Sequence, residues 1–344
     1  MKTPAAILVE QHRPLELAEV EVPAPGYGQV LVELKASRIC GSQLGEIDGV
    51  KGPDRWLPHL LGHEGGGIVK EVGPEVTTVK PGDHVVLHWR PGAGIQSRGP
   101  VYGWNGRRVN AGYVTTFNHR AVVSENRVTP IPADLDDEIG CLLADTLTTG
   151  AGVINRDANV RIGESVVIFG AGGIGLGVIL AASLAGAHPI VAVDLYQHKL
   201  EVARRFGATH TLLATSASLE DDIRDLVGPR GADVVIDGTG RPEVIERCYR
   251  LTQPAGRCVL FGVMRHDLNV TLHTLPLHHG KILTGSEGGG SLPAEDIPRL
   301  VRMMRDGRFD PKGMVSHRGT LDDVNDLIAR MRAGEVVHAM LHYD

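Results

Sequence analysis

A chain of 344 residues exceeds what one core usually holds, since single cores stop growing at roughly 250 to 300 residues, so two domains are expected. With 42% hydrophobic and 22% charged residues it has the composition of an ordinary globular protein, and a net charge of -6 with no Lys/Arg run longer than two residues excludes a nucleic-acid partner held by a basic field. The four cysteines, Cys40, Cys141, Cys248 and Cys258, lack CxxC spacing, and MKTPAAILVEQHRP carries charge too early for a secretory signal; a reducing, cytoplasmic setting is expected.

Residues 1–150 hold short β-rich runs, QVLVELKAS, GGGIVKEVG and DHVVLHW, separated by Gly and Pro, which predicts a largely β domain with loops. Two segments there carry metal-ligand chemistry. ICGSQLGEIDG presents Cys40, and LLGHEGGGIV presents His63 and Glu64, each at the mouth of a strand-like run; thiolate, imidazole and carboxylate are all groups that a catalytic zinc accepts. Taken singly, a buried cysteine and a satisfied loop histidine are the commoner readings, and only the shared setting favours a metal. The lobe RPGAGIQSRGPVYGWNGRRVNAGYVTTF follows, rich in Gly, Arg and aromatic residues and without a cysteine, so no four-cysteine structural zinc has ligands there. Its order is expected from packing or from a neighbouring subunit. At CLLADTLTTG, Cys141 and Asp145 both compete as metal ligands, while Asp145 could instead cap the helix that follows and Cys141 could be a plain buried thiol.

Next, SVVIFGAGGIGLGVILAASLAGAHPIVAVD reads as strand, glycine turn, small-residue helix and second strand. Ser165 to Ala187 is free of charge over a length able to cross a bilayer, but its glycines argue against a membrane span. Gly170 permits the tight turn, Gly172 lets the backbone approach a pyrophosphate, and Gly175 lets helix and strand pack closely, with the helix N-terminus at Gly173 facing the phosphates. Asp194, about 20 residues after the last glycine, is placed to accept both hydroxyls of the adenine ribose, which favours NAD over NADP. The alternation continues through QHKLEVARRFGA, HTLLAT, a helix from Leu219 to Val227, DVVIDG, EVIERCYRL and RCVLFGV, predicting a doubly wound parallel sheet of the Rossmann type. Cys248 and Cys258 fall among apolar neighbours and are expected to be buried thiols.

These motifs in this order, the cysteine, then GHEGGGIV, VKPGDHVV, TTG and GAGGIG, resemble the zinc-dependent alcohol and polyol dehydrogenases of the medium-chain dehydrogenase/reductase superfamily over essentially the whole chain. The resemblance implies an α/β fold of two domains: a GroES-like, largely β catalytic domain over residues 1–150 and 288–344, and a Rossmann NAD-binding domain over 151–287. It further implies one catalytic zinc per chain on Cys40, His63 and a third ligand at the position of Asp145, with Glu64 close behind. The zinc would act as Lewis acid and template for hydride transfer between a secondary alcohol, a polyol, sugar or cyclitol derivative, and NAD.

By the same resemblance Ser42 would take the alcohol proton. Gly45 stands where a relay histidine is usual, which leaves Glu46 or water as the exit, and Gln43 stands where an aspartate usually orients the histidine ligand. Ile174 would press on the nicotinamide, Lys199 would hold the adenine ribose, Gly262 and Val263 would line the cofactor, and His338 replaces a pyrophosphate arginine. Trp89 would wall the substrate pocket. The small-molecule substrate is the expected partner, in a homo-oligomer, dimer or tetramer, with no nucleic acid and no membrane. Two rivals remain at this point: a zinc-independent enal or quinone reductase of the same superfamily, and a cofactor-binding protein that has lost catalysis.

Overall fold

The structure, a computed structural model, describes residues 1–343. Its contacts divide the chain into Met1–Asp145 with Leu292–Asp344, and Thr146–Ser291. The second unit is therefore longer at both ends than the expected 151–287. Close packing explains this: a Cβ on Gly152 would lie 2.0 Å from the Gly289 carbonyl oxygen, so the helix Thr146–Gly152 and the turn Gly288–Gly290 are fitted to one another inside that unit.

In the first unit, Lys2–Leu8, Glu16–Glu21, Val101–Trp104, Arg107–Asn110 and His59–Leu60 close into a barrel. Beside it a seven-stranded sheet runs in the order Val128–Pro130, His84–His88, Glu64–Val72, Gln29–Ile39, Ala339–His342 and His317–Gly319, with Arg120–Ser124 also pairing Gln29–Ile39. The strand Gln29–Ile39 is buried on both faces: Val30, Val32 and Leu34 enter one apolar cluster and Leu31 another, as the two-residue alternation of a strand requires. That strand holds the C-terminal residues 339–342 in register, which is how the chain's end joins its beginning.

Gly65, Gly66 and Gly67 open the neighbouring strand, and their lack of side chains is steric. A Cβ on Gly67 would lie 2.4 Å from the Glu33 oxygen, and one on Gly66 would lie 2.9 Å from the Asp137 oxygen. The helix Asp137–Ala144, N-capped by the Asp136 carboxylate accepting from Glu138 N at 2.8 Å, thus lies directly on this strand.

The lobe without cysteines is pinned by the turn Glu125–Arg127. One oxygen of the fully buried Glu125 carboxylate accepts from the backbone N–H groups of Thr77 and Thr78 at 2.7 and 2.9 Å and from the Thr78 hydroxyl at 3.0 Å. The other accepts from Ile95 N at 2.7 Å. Ser124 Oγ accepts from Ser97 N at 2.7 Å and donates to the Ile95 carbonyl at 2.9 Å, while Arg127 donates to the Trp89 carbonyl and to Gln96 Oε1. The chain's own polar groups supply the order that was expected from packing or from a neighbour.

The second unit is a six-stranded sheet in the order His210–Leu213, Ile190–Asp194, Val166–Phe169, Ala232–Asp237, Thr252–Leu260 and Ile282–Gly285, every pairing parallel. The edge strand Ile282–Gly285 is one that periodicity does not single out, and its half-exposed side chains give the reason. The strand order reverses direction at Val166–Phe169, the crevice where such sheets bind ligands. The charge-free stretch from Ser165 resolves into that strand and the 12-residue helix Gly173–Leu184, and among the described residues no helix is long and apolar enough to cross a membrane.

Candidate active site: a glycine turn and a buried donor cluster

At the crevice, Gly170 adopts φ +98°, open to glycine at little cost, and a Cβ on Gly175 would stand 1.9 Å from the Gly170 oxygen. A Cβ on Gly172 would meet nothing within 4 Å. That open space sits at the N-terminus of Gly173–Leu184, whose unpaired N–H groups favour an anion. Ile174 lies half-buried in the helix's first turn. Asp194 ends its strand with one carboxylate oxygen accepting from Ala171 N at 2.8 Å and the other from Tyr196 N at 3.0 Å, so the same carboxylate that would meet a ribose also fixes the turn. Lys199 lies over the Tyr196 ring at 4.9 Å; burial lowers its pKa, and Asp194 partly offsets that.

Gly262 is set against the next turn, where a Cβ would be 2.3 Å from Gly240 N, and Val263 beside it is exposed. The sequence reading missed Asp237, whose buried carboxylate accepts from Thr239 N, the Thr239 hydroxyl and Gly240 N at 3.0, 2.7 and 2.9 Å and so shapes the loop at the crevice. Its position at a strand end, matching Asp194 on the other side of Val166–Phe169, was the available signal. His338 belongs to the other unit, fully buried, its backbone paired with Ser316.

The other feature is a cluster of donors in the first unit. Strands Gln29–Ile39 and Glu64–Val72 are antiparallel, with Ser37 opposite Gly65. The residue that follows the first strand, Cys40, therefore comes beside the residue that precedes the second, His63. Asp145 arrives at the C-terminus of Asp137–Ala144, the helix that Gly66 admits onto the strand. Cys40, His63, Glu64 and Asp145 each offer one atom, all within 4.8 Å of one another. Glu64 is 0%, Asp145 6% and Cys40 7% exposed, so the cluster is nearly out of water.

His63 Nε2 stands 3.3 Å from Glu64 Oε1 and 3.6 Å from Asp145 Oδ2. Both His63 Nε2 and Glu64 Oε1 are buried without a hydrogen-bond partner, an arrangement that costs several kcal/mol unless a cation completes it, roughly 1–3 for each neutral polar group and more for a charged one. The acidic groups of Cys40, Glu64 and Asp145 gathered around Nε2 mark the place of a positive charge.

Arg38, also missed by the sequence reading, is 3% exposed and donates from Nη1 to Glu64 Oε2 at 2.9 Å. With the cysteine as thiolate, one guanidinium faces a thiolate and two carboxylates; the two surplus negative charges are what a dication neutralises. Cys141 lies one helical turn before Asp145, fully buried and outside the donor set, and burial pushes its thiol well above the ordinary range.

Two comparisons with known proteins decide the family. Residues 26–133 match the alcohol dehydrogenase GroES-like domain and residues 173–306 match the zinc-binding dehydrogenase family. The chain is 32% identical to the class-3 alcohol dehydrogenase of Cereibacter sphaeroides, over 99% of this chain and 100% of that one, and 31% identical to the S-(hydroxymethyl)glutathione dehydrogenase of Paracoccus denitrificans over 100% of both. The crystal structure of benzyl alcohol dehydrogenase from Acinetobacter calcoaceticus superposes with a TM-score of 0.89 at 26% identity, covering 100% of each chain.

The chain belongs to the zinc-dependent alcohol dehydrogenases of the medium-chain dehydrogenase/reductase superfamily. It is an NAD- and zinc-dependent enzyme acting on the CH–OH group of an alcohol or polyol. A dehydrogenase of this family needs a site for one dication and one for a dinucleotide, and the orphaned donors and the open glycine turn fit them.

Around the dehydrogenase's donor cluster, Cys40 N-caps the short helix Gly41–Ile47, which carries Ser42, Gln43 and Glu46. Gln43 Nε2 lies 2.6 Å from His63 Nδ1, and Ser42 Oγ lies 3.4 Å from the same nitrogen. A cavity of about 930 Å³ within this unit is lined by Gln43, Gly45, Glu46 and His63 and walled by Trp56 and Tyr113. Trp89 does not line this cavity; its indole N–H donates to Asp145 Oδ1 at 3.3 Å, which sets the ring against the donor cluster. Trp56 and Tyr113 are 59% and 49% exposed, large rings left out in a loop rather than in a core, and the sequence reading missed both.

Proposed function

We propose that Cys40, His63 and Asp145 hold the catalytic zinc, with Glu64 beside it, and that the enzyme interconverts a secondary alcohol of a polyol, sugar or cyclitol derivative with its ketone. The observation that carries this is His63 Nε2, buried, without a hydrogen-bond partner and surrounded by three acidic donors. Zinc, when bound, supplies the Lewis acidity that makes a substrate hydroxyl acidic, and NAD supplies the hydride acceptor.

The chain's residues do the rest. Burial of Glu64 and Asp145 keeps water from competing for the cation, and Arg38 holds Glu64 by one oxygen so that the other stays turned to the cluster. Trp89 fixes one oxygen of Asp145, leaving Oδ2 toward His63. Ser42 takes the substrate proton at Oγ, and because Gly45 offers no relay side chain, Glu46, which lines the cavity beside Gly45, passes it outward. Gly170, Gly172, Gly173, Gly175, Ile174, Asp194, Lys199, Gly262 and Val263 serve NAD, and Asp194 disfavours a 2′-phosphate by its charge.

The polar substrate class is supported by the cavity: Glu46, Asn110 and the cations Lys51, Arg55 and Arg98 line it together with the two aromatics, a mixture suited to hydroxyls and to an anionic substituent. The free, buried cysteines support a cytoplasmic enzyme, and the parallel edge strand Ile282–Gly285, with Ile282 48% exposed, supports a homo-oligomer.

Against the zinc-free reductase and the non-catalytic reading stands the gathering of Cys40, His63, Glu64 and Asp145 in one buried cluster. Elemental analysis should give about one zinc per chain, and Asp145→Asn should weaken zinc retention and turnover by about tenfold or more while NAD affinity stays unchanged. A metal-free protein with full activity overturns the zinc assignment; retained zinc and full activity in Asp145→Asn overturn that ligand alone. NADH formation across polyols, sugars and cyclitols, with and without a carboxylate or phosphate, tests the substrate.

A further inference from the structure

The dehydrogenase's metal histidine sits in a hydrogen-bond arrangement that is one acceptor short. Gln43, 1% exposed, accepts the Cys40 backbone N–H at its Oε1, 2.8 Å away. Its NH₂ group consequently faces His63 Nδ1 at 2.6 Å and lies 3.3 Å from Ser42 Oγ. In this arrangement Nδ1 accepts, and the ring's hydrogen belongs on Nε2, the nitrogen aimed at the donor cluster.

A neutral imidazole that gives Nε2 to a metal carries its hydrogen on Nδ1 instead. That hydrogen then points at the N–H groups of Gln43. Turning the amide over does not remove the conflict, because its single oxygen then serves Nδ1–H and its NH₂ group opposes the Cys40 N–H. Two donors, Cys40 N–H and His63 Nδ1–H, compete for one carbonyl oxygen in either orientation. Ser42 Oγ, at 3.4 Å, is the other polar group beside Nδ1 among the described residues, and using it for the ring diverts the hydroxyl proposed to take the substrate proton.

We infer that Gln43 is a positioning residue that sets how firmly the zinc is retained: the amide favours the metal-free arrangement of His63, and a carboxylate of the same shape would serve both donors at once. This rests on the zinc assignment proposed above. Partners of metal-bound histidines alter metal affinity by about 10- to 100-fold, which sets the scale.

The experiment compares the full-length wild-type chain with Gln43→Glu and Gln43→Met, measuring the zinc dissociation constant by competition with a chromogenic chelator at fixed pH, with NAD binding as the check on folding. Gln43→Glu is expected to bind zinc about 10- to 100-fold more tightly. Gln43→Met, which removes the opposing N–H groups and adds no charge, should bind at least as tightly as the wild type. Lys51→Gln, which makes the same change of charge in the same cavity, should move the constant by less than about threefold; as much tightening there as in Gln43→Glu means a plain charge effect and overturns the inference. An unchanged or weaker constant in folded Gln43→Glu, or weaker binding in Gln43→Met, overturns it as well. Wild-type protein that takes up no zinc overturns the zinc assignment and this inference together, whereas zinc uptake indifferent to position 43 overturns this one only.

Discussion

The glycine turn and the donor cluster are built in opposite ways. The segment that shapes the turn, from Val166 to Asp194, is contiguous in the chain, and its parts fit through close backbone contacts that exclude a Cβ and through the Asp194 carboxylate on Ala171 N. The cluster draws Cys40, His63, Glu64 and Asp145 from three separate segments, and only the strand register and a helix laid on Gly66 bring them within 4.8 Å. A locally encoded site survives changes elsewhere; a site assembled by register depends on every element that carries it. The two should therefore fail independently of one another.

The largest expected effect comes from His63→Ala, which removes the ring at the centre of the cluster. Turnover should fall by about three orders of magnitude and zinc content toward zero, with NAD affinity, by fluorescence titration, within about twofold of the wild type. Loss of NAD binding as well would show that the sites are not separable.

Asp194→Ala is the converse. NAD should bind about 10- to 100-fold more weakly and the preference over NADP should narrow, while zinc content is unchanged. An unaltered coenzyme preference removes Asp194 from that role.

Smaller still, and on stability rather than chemistry, is Glu125→Gln. The amide places an N–H group against the backbone donors of the lobe and should cost about 2 kcal/mol, roughly a 30-fold change in the folding equilibrium, measured by urea denaturation. Burial would raise the Glu125 pKa, but the N–H groups of Thr77, Ile95 and Thr78 more than compensate and hold it below the usual range. The carboxylate's stabilisation is then complete above the unfolded-state pKa of about 4.3 and is lost as pH falls through the depressed folded value. Wild type and variant should accordingly converge in stability on acidification; a constant gap across pH argues that the charge is not what matters.

The difference in construction also explains what was legible in the sequence. GAGGIG, Asp194 and the βα alternation could be read because each depends on near neighbours and on glycine's steric freedom. Cys40, His63 and Asp145 were reachable only through residue type and resemblance, since pairing register is not written in any one segment. Arg38 lay hidden for a related reason: in RIC it is an unremarkable residue at a strand's end, and its burial against Glu64 follows from a partner strand. The contact of Trp89 with Asp145 could not be read from the sequence, because a ring's direction depends on what pins the loop behind it, here Arg127 on the Trp89 carbonyl. Trp56 and Tyr113 belong to loops whose approach to the cavity no periodicity encodes.

The Glu125 clamp has a consequence for the enzyme's economy with metal. Its lobe draws its order from a carboxylate that travels with the chain, so removing the ion should stop turnover without unravelling this part of the molecule. A cell short of zinc would then hold an idle but folded enzyme, ready to resume once a single ion returns rather than two.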